Sequence, residues 1–444
     1  MRIKHGDEAR HATLNVLSRL VAQDPSIERA VLIDDLFGRL RLVIWTQRTD
    51  WEEFRSALSA QLGDPGVADR FWGGQIWNGS AASEADRLVY EKAWEESREV
   101  EGASRLREAD RYRNRSAWFA PVTDPFWPTL ADARDGGPPI LVFYSFKGGV
   151  GRSTALASFA LQRARRGERV AVIDFDLDAP GVGSLLAADE SGTTASWGVL
   201  DYLLERPSGE VDLPDYYHAL RREPVTGTGE IIVVPAGRMD SEYLSKLARV
   251  DLELPLQDAG PHPLVLLLSE LRDAVQPAWV LLDARTGLSE PAGLLLGGLA
   301  HLHVLFGTAS EQSWQGLRLV LDRLGASRVR AGRPQAECLL VHAMVPRDAT
   351  VSPMARAAFS DRARDEFTET YYAEDPEDPE DDRFWYVRDA ENDDAPHVPI
   401  ALSYDPKLAH FRRIDDVVTE LADSPEYSAL ADRIAARYQP ESQE

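Results

Sequence analysis

A short glycine-rich segment is the part of this sequence best equipped for chemistry. Residues 146–153 read FKGGVGRS and join an apolar run, ILVFYS, to the helix-forming stretch STALASFALQRARRG. In the order strand, glycine turn and helix, backbone N–H groups converge on phosphate oxygens, and the helix N-terminus adds its positive dipole end. We therefore predict a phosphate-binding loop that includes Gly148, Gly149, Val150 and Gly151.

The charged side chains of this loop are unusually placed. Loops of this kind typically carry a lysine directly before the Ser or Thr that opens the helix, but here Arg152 stands there and Lys147 lies five residues earlier. Ser153 is placed to give its hydroxyl to Mg²⁺, and Thr154 follows it. Arginine keeps the positive charge but is bulkier and planar, which affects the expected hydrolysis rate more than nucleotide binding.

Three aspartates lie at the carboxyl ends of apolar runs. Asp174 and Asp176 end RVAVIDFD, and Asp283 ends AWVLLDA. A carboxylate at such a position can orient a water molecule and contact Mg²⁺ through its hydration shell.

The motif KGGVGRST resembles the deviant phosphate loop of ParA/MinD-type ATPases, in a variant subgroup that reads KGGVGR. The resemblance implies ATP and Mg²⁺ as ligands. It also implies that Lys147 is the signature lysine that reaches the phosphates bound by a partner subunit in a nucleotide-sandwich dimer. The other matching positions are the glycines Gly148, Gly149 and Gly151 and the Mg²⁺-binding hydroxyl of Ser153.

The resemblance continues in the strands that follow. It implies that Asp176 helps to position the attacking water, which makes Lys147 and Asp176 the candidate catalytic residues. Asp283 matches the Walker B aspartate, although the next residues, Arg285-Thr286-Gly287, depart from the usual proline-containing sequence. The candidate metal ligands are Ser153, Asp174, Asp176 and Asp283.

Two later stretches resemble the segments that meet the nucleotide base. In LLVHAMVPRD the resemblance implies that Arg347 stacks on the base, and in HVPIALSYDP that Pro399 contacts it through the backbone. The resemblance covers about residues 140–411, some three fifths of the chain.

The fold predicted for residues 140–444 is a doubly wound α/β domain with a mainly parallel sheet. Six short apolar runs alternate with helical segments from residue 140 onward, which is typical of strands buried on both faces. We expect a helical insertion at about residues 205–275 and an acidic loop at about residues 373–383. The six runs are ILVFYS, RVAVIDFD, EIIVVPAG, AWVLLDA, LHVLFG and CLLVHAMV.

Residues 1–119 are predicted to form a small α+β domain, followed by a Pro/Gly-rich linker at 120–139. We expect helices at 12–23 and 51–62 with two strands between them, then a short aromatic strand and a long charged helix at 84–115. Seven of the eleven tryptophans precede residue 128. They mark either an interaction module or the core of a small domain.

The composition of the chain bears on its compartment and on its partners. One cysteine in 444 residues fits a reducing compartment, and neither a signal peptide nor a membrane span is evident, so we expect a cytoplasmic protein. A formal charge of −24 argues against DNA as a partner, because sequence-independent DNA binding depends on neutralising phosphates.

Two functions remain open at this point. The first is an ATP-dependent dimerisation switch that hydrolyses ATP slowly and regulates a protein partner, in a bacterial conflict or signalling system as suggested by relatives with the same loop. The second is a non-hydrolysing, nucleotide-bound adaptor whose N-terminal domain is the working part, which would not be an enzyme. DNA partitioning of the ParA kind is disfavoured by the charge.

Overall fold

The structure is a computed structural model, and it describes residues 2–35, 38–110, 116–130, 132–133, 136–252, 261–376, 378, 383–411 and 413–438. The chain divides into two compact units, 1–114 and 115–444. No helix within the described ranges is both long and apolar enough to cross a bilayer.

The first unit is a five-stranded sheet with helices, as predicted in outline. The sheet order is β3-β2-β1-β5-β4, with parallel pairing of β1 with β5 and of β2 with β3. Its elements are α1 (Gly6–Gln23), β1 (Ile27–Asp34), β2 (Leu40–Thr46), α2 (Trp51–Leu62), β3 (Trp72–Asn78), α3 (Glu84–Glu95), β4 (Arg98–Val100) and β5 (Ala103–Asp110), with 3-10 helices at Asp69–Phe71 and Gly79–Ala81.

The sheet of this unit is covered on both faces. Ala30 and Leu32 of β1 belong to one apolar cluster, and Val31 and Ile33 belong to another, as the alternation of a strand requires. Trp45 is buried in the second cluster, and the Arg29 guanidinium lies 4.3 Å from its ring centroid. The buried Trp45 therefore serves the core of the unit.

The predicted helix at 84–115 is wrong in its second half. The helix ends at Glu95, and the chain then forms the antiparallel pair β4 and β5 around Gly102, which has a φ of 73°. Only Leu106 and Ala109 of β5 are buried, so the charged side chains that suggested a helix lie at the half-exposed positions of a strand.

The second unit is built on an eight-stranded sheet, and its short helices are numerous. The 3-10 helices are Arg206–Ser208, Leu213–Tyr216, Val387–Glu391 and Ile414–Val417. The strands are β6 (Ile140–Ser145), β7 (Arg169–Phe175), β8 (His218–Leu220), β9 (Glu230–Val234), β10 (Trp279–Ala284), β11 (Leu302–Gly307), β12 (Cys338–Val345) and β13 (Ile400–Ser403). The α-helices are α4 (Ser116–Phe119), α5 (Arg152–Arg165), α6 (Val182–Leu185), α7 (Val199–Glu205), α8 (Glu223–Thr226), α9 (Tyr243–Leu247), α10 (Pro263–Val275), α11 (Glu290–Leu295), α12 (Glu311–Leu324), α13 (Ala326–Arg330), α14 (Val351–Thr370), α15 (Pro406–Ala409), α16 (Val418–Ala422) and α17 (Pro425–Ala436).

The topology of this sheet confirms the doubly wound prediction. The strand order is β13-β12-β11-β6-β10-β7-β9-β8, and among the described strands of this sheet only β8 pairs antiparallel with its neighbour. All six predicted apolar runs form strands. Leu141 and Phe143 of β6 pack into one core, and Val142 and Tyr144 pack into the other, so both faces are covered by helices. The phosphate loop leaves the carboxyl end of β6, near the middle of the sheet.

Residues 120–139 differ from the predicted linker. Trp127 is 5% exposed, belongs to the main core of the second unit and donates its Nε1 hydrogen to the Pro138 carbonyl at 2.9 Å. Just before this segment, Trp118 Nε1 donates to the Ser289 carbonyl at 2.6 Å. Glu290 Oε1 accepts bonds of 3.1 Å from the Ser116 hydroxyl and the Ala117 amide. The Pro/Gly content hides the periodicity of this segment, but its aromatic side chains fasten it to the second unit.

Two smaller features predicted for the second unit are described only in part. The region at 205–275, predicted as a helical insertion, holds several helices, including the 13-residue α10, together with the strands β8 and β9, and residues 253–260 lie outside the described residues. The predicted acidic loop at 373–383 lies partly outside them as well, because only 373–376, 378 and 383 are described.

His303 on β11 makes the stability of this core dependent on pH. Burial lowers the pKa of His303 to about 4, outweighing its bond to the Glu337 carbonyl, and Arg328, Arg323 and His301 nearby lower it further. In the unfolded chain His303 has the ordinary pKa of about 6.5. The folded state is therefore fully stable with respect to this group above pH 6.5, and it loses stability as the pH falls towards 4, because the unfolded chain then binds a proton that the folded chain does not. We expect His303→Leu to reduce the acid-induced loss of unfolding free energy by about 2–3 kcal/mol. Urea titrations at pH 4.5 and 7.5 measure this, and an unchanged difference between the two pH values contradicts it.

Candidate nucleotide-binding site

The loop between β6 and α5 has the geometry of a phosphate cradle. Gly149 and Gly151 adopt φ angles of 72° and 84°, in the left-handed region that favours glycine. A Cβ atom added at Gly148, Gly149 or Gly151 would meet nothing within 4 Å, so the space above the loop is open. Because α5 begins at Arg152, its unpaired N–H groups point towards that space.

Lys147 lies at the start of this loop, half-buried. Its ammonium forms no ion pair or hydrogen bond with any side chain in the part of the chain that the structure describes. In a protein with 73 acidic residues such a lysine is notable, because acidic partners are abundant. Its charge is therefore available to a ligand.

Arg152 points away from the loop opening and into the sheet. Its Nε donates to Asp283 Oδ1 at 2.7 Å and its Nη2 donates to Asp176 Oδ2 at 3.1 Å, with 7% of the side chain exposed. Burial lowers the pKa of the guanidinium, but attraction to Asp283 and Asp176 outweighs it and raises the pKa above its ordinary value. The predicted nucleotide-binding side chain thus contacts the carboxylates at the strand ends, while Nη1 has no partner among the described residues.

Ser153 and Asp283 meet directly below the loop. The Ser153 hydroxyl donates to Asp283 Oδ2 at 2.7 Å. Burial raises the pKa of Asp283, although Arg152 and Ser153 oppose this. The structure therefore brings together the predicted Mg²⁺ hydroxyl and the predicted Walker B carboxylate.

Asp174 is next to Asp283 in the register of β7 and β10, but its oxygens face the backbone. Oδ2 accepts the amides of Gly181 and Gly183, each at 3.1 Å, and Oδ1 accepts that of Asp176 at 3.3 Å. Burial, and then the charge of Asp283, raise the pKa of Asp174 to about 7. The observed contacts hold the turn after β7, and metal ligation by Asp174 stays a prediction.

Asp176 lies between two arginines. Arg152 holds Oδ2, and Arg285 Nη1 donates to Oδ1 at 3.1 Å. Arg285 Nε also contacts Asp178 Oδ2 at 2.9 Å. The sequence marked Arg285 only as a departure from a motif; its role in this cluster follows from strand register.

The oxygen donors here suit Mg²⁺. Within the described ranges, no three His, Cys, Asp or Glu side chains are arranged to hold a metal ion. Mg²⁺ bound with a nucleotide needs only one or two protein ligands, because phosphates and water supply the rest. The Ser153 hydroxyl and the Asp283 carboxylate meet that requirement.

A pocket of about 290 Å³ opens beside the loop. Neither Arg347 nor Pro399 lines it, and their contacts with the base stay predictions; Arg347 pairs with Asp405 at 2.8 Å. Met344 lines it with a φ of 61°, and no sequence signal identified this residue. The lining residues are Gly149, Val150, Gly151, Thr154, Met344, Leu402, Ser403, Tyr404, Asp405, Leu408, Ala409 and Tyr427.

The loop segment matches a known family. Residues 138–199 match the family model described as ParA, NUBPL iron-transfer P-loop NTPase. Over this segment the chain is similar to that P-loop NTPase family. The match spans β6, the loop, α5 and β7, which carry the cradle and two of the candidate aspartates.

Solved structures of ParA and MinD proteins are similar to this chain over about two thirds of its length. The pNOB8 ParA bound to nonspecific DNA has a TM-score of 0.45 at 16% identity, covering 68% of this chain and 98% of its own. The cell division ATPase MinD of Pyrococcus furiosus has a TM-score of 0.38 at 20% identity, covering 67% and 99%. MinD of Pyrococcus horikoshii with Mg-ADP has a TM-score of 0.40 at 15% identity, covering 68% and 95%. No curated protein sequence matches the chain.

Proposed function

We propose that this protein is an ATP-dependent dimerisation switch that hydrolyses ATP slowly and regulates a protein partner. The observation that carries the proposal is the open glycine cradle, with the uncommitted charge of Lys147 at one end and a pocket at the other. The loop resemblance supports a bacterial conflict or signalling system as the setting.

The loop would bind the phosphates of the nucleotide, and the pocket would bind its base. The amides of residues 148–154 would hold the phosphates, and Thr154, which also lines the pocket, would join the two parts of the site. The base would lie against Met344 and Tyr404, whose side chains are 39% and 40% exposed. Apolar and aromatic surface of this kind suits a purine ring.

Ser153 and Asp283 would hold Mg²⁺, Asp283 through a water molecule. The ion would neutralise the charge of the phosphate oxygens. Arg152 now contacts Asp283, so a bound cation and Arg152 would share the same carboxylate.

Hydrolysis in this site would depend on Asp176 and Lys147. Asp176 would orient a water molecule towards the γ-phosphorus; a bond to the water oxygen forms as the bond to the bridging oxygen breaks, giving ADP, phosphate and a proton. Lys147 of a second copy would stabilise the negative charge that develops on the phosphoryl oxygens. Without that copy each site would lack its lysine, so turnover depends on dimerisation.

The test is the mass of the full chain in solution, measured by light scattering with no nucleotide, with ADP–Mg²⁺ and with ATP–Mg²⁺. We expect dimerisation with ATP–Mg²⁺ and slow phosphate release. Asp176→Ala should retain the dimer for longer, because the nucleotide persists. A monomer under all three conditions, without ATP binding, overturns the proposal.

Blocking the pocket tests the assigned base site. Ala409 is exposed at the rim of the pocket, so Ala409→Trp places an indole where the base would lie. We expect a loss of ATP affinity of about 10- to 100-fold, since the base contacts are lost while the loop is intact. Calorimetric titration measures it, with Ala358→Trp on the exposed side of α14 as the matched control. Equal affinities for the two variants place the base elsewhere.

A non-hydrolysing adaptor is the second candidate function. It is favoured by the two arginines on Asp176, which occupy both of its carboxylate oxygens. ATP binding without any phosphate release, identical for Lys147→Ala, would select it.

Two other roles attached to similar proteins fit this chain poorly. Nonspecific DNA binding requires basic surface, whereas the formal charge is −24. Iron–sulfur clusters are held by cysteine thiolates, and the single cysteine, Cys338, is buried in β12.

A further inference from the structure

Arg285 forms ion pairs with two aspartates that follow β7, Asp176 and Asp178. It follows β10 directly, two residues after Asp283, and 30% of its side chain is exposed. Its guanidinium joins Asp176 Oδ1 at 3.1 Å through Nη1 and Asp178 Oδ2 at 2.9 Å through Nε. A planar guanidinium that uses two different nitrogens fixes both carboxylates relative to the end of β10.

The two oxygens of Asp176 are held from opposite sides. Arg152, from the phosphate loop, holds Oδ2 at 3.1 Å; Arg285 holds Oδ1, with a weaker contribution from the Ala179 amide at 3.3 Å. Arg152 contacts Asp283 as well, so a nucleotide-bound cation would draw on the same groups. The second contact of Arg285 is with Asp178, outside the phosphate loop.

We propose that Arg285 is a positioning residue for hydrolysis, acting through Asp176. It fixes the plane of the Asp176 carboxylate so that Oδ2 faces the phosphate loop, where the attacking water would lie. The inference rests on the proposed function. It assigns to Arg285 an effect on the rate of hydrolysis and no effect on nucleotide affinity. A carboxylate free to rotate would be misplaced by about 1 Å, an error that costs about 100-fold in rate.

The experiment measures steady-state phosphate release by the full chain with ATP–Mg²⁺. We expect Arg285→Ala to lower kcat by about 10- to 100-fold with KM changed by less than about threefold. Arg285→Lys should recover part of the loss, because one ammonium can still reach Asp176. In an Asp176→Ala background, Arg285→Ala should have no further effect, since a residue that acts through another cannot act once that residue is gone.

Controls separate the outcomes. Arg318→Ala removes another arginine that pairs with two carboxylates, Glu366 and Glu369, and should leave turnover unchanged. Wild-type turnover that is insensitive to Arg285→Ala, or effects of the two substitutions that multiply in the double variant, overturns this inference and leaves the proposed function standing. Absence of turnover in the wild type overturns hydrolysis itself and the role of Arg285 with it.

Discussion

Replacing Lys147 with alanine is expected to abolish ATP-dependent dimerisation and to lower ATP turnover by at least about 100-fold. The ammonium is uncommitted among the described side chains and stands beside an open cradle, so its removal costs the fold little. In a sandwich dimer it supplies a charge that the other site lacks. Light scattering with ATP–Mg²⁺ and a phosphate-release assay measure the two effects.

The matched control for this variant is Lys92→Ala. Lys92 forms an ion pair with Glu96 at 3.6 Å on the first unit and should leave both measurements unchanged. ATP affinity of the Lys147→Ala monomer should fall by much less than its turnover, because the loop amides remain. Dimerisation that survives Lys147→Ala contradicts the trans-acting role.

Replacing Arg152 with methionine is expected to lower the free energy of unfolding of the second unit by about 3–5 kcal/mol at pH 8. The substitution keeps most of the volume but leaves Asp283 ionised or protonated inside the sheet without its cation, and it also removes the bond to Asp176. Hydrogen exchange of peptides from β6, β7 and β10 in increasing denaturant reports on this unit specifically.

Arg318→Met is the comparison for this second variant. Its ion pairs are half-exposed, so its cost should be about 0–1 kcal/mol. The loss of unfolding free energy for Arg152→Lys should lie between those for Arg152→Met and Arg318→Met, because lysine keeps the charge but cannot reach both aspartates with separate nitrogens. A cost for Arg152→Met of about 1 kcal/mol or less would show that Asp283 needs no internal cation.

The strands that the sequence predicts are those with continuous apolar runs. β6 and β10 are buried at every position, as expected of central strands in a parallel sheet covered on both faces. β8 and β13, of three and four residues, are too short to show a pattern. The charged exposed positions of β4 and β5 are typical of a helix, but strand pairing rather than local composition decides their conformation.

In the site, too, local sequence predicts some features and tertiary packing decides the others. The spacing within one strand-loop-helix unit and its neighbouring strand predicts the glycines, Lys147, Ser153 and Asp283 as site residues. The direction of the Arg152 side chain does not, because it depends on which carboxylates end the adjacent strands. The two segments predicted to meet the base line the pocket beside the loop through Met344 and Tyr404 rather than through Arg347 and Pro399, since only tertiary packing decides which residues face inward.

The attachment of Trp118 and Trp127 sets where this protein can be cut. A fragment that starts at residue 140 would keep the nucleotide loop but expose the apolar surface that Trp127 covers, and would leave the Glu290 carboxylate without the Ser116 and Ala117 donors. A fragment that starts at residue 115 retains all of these contacts. Expression of the second unit alone, and exchange of the first unit for a foreign domain, therefore both require a junction before Ser116.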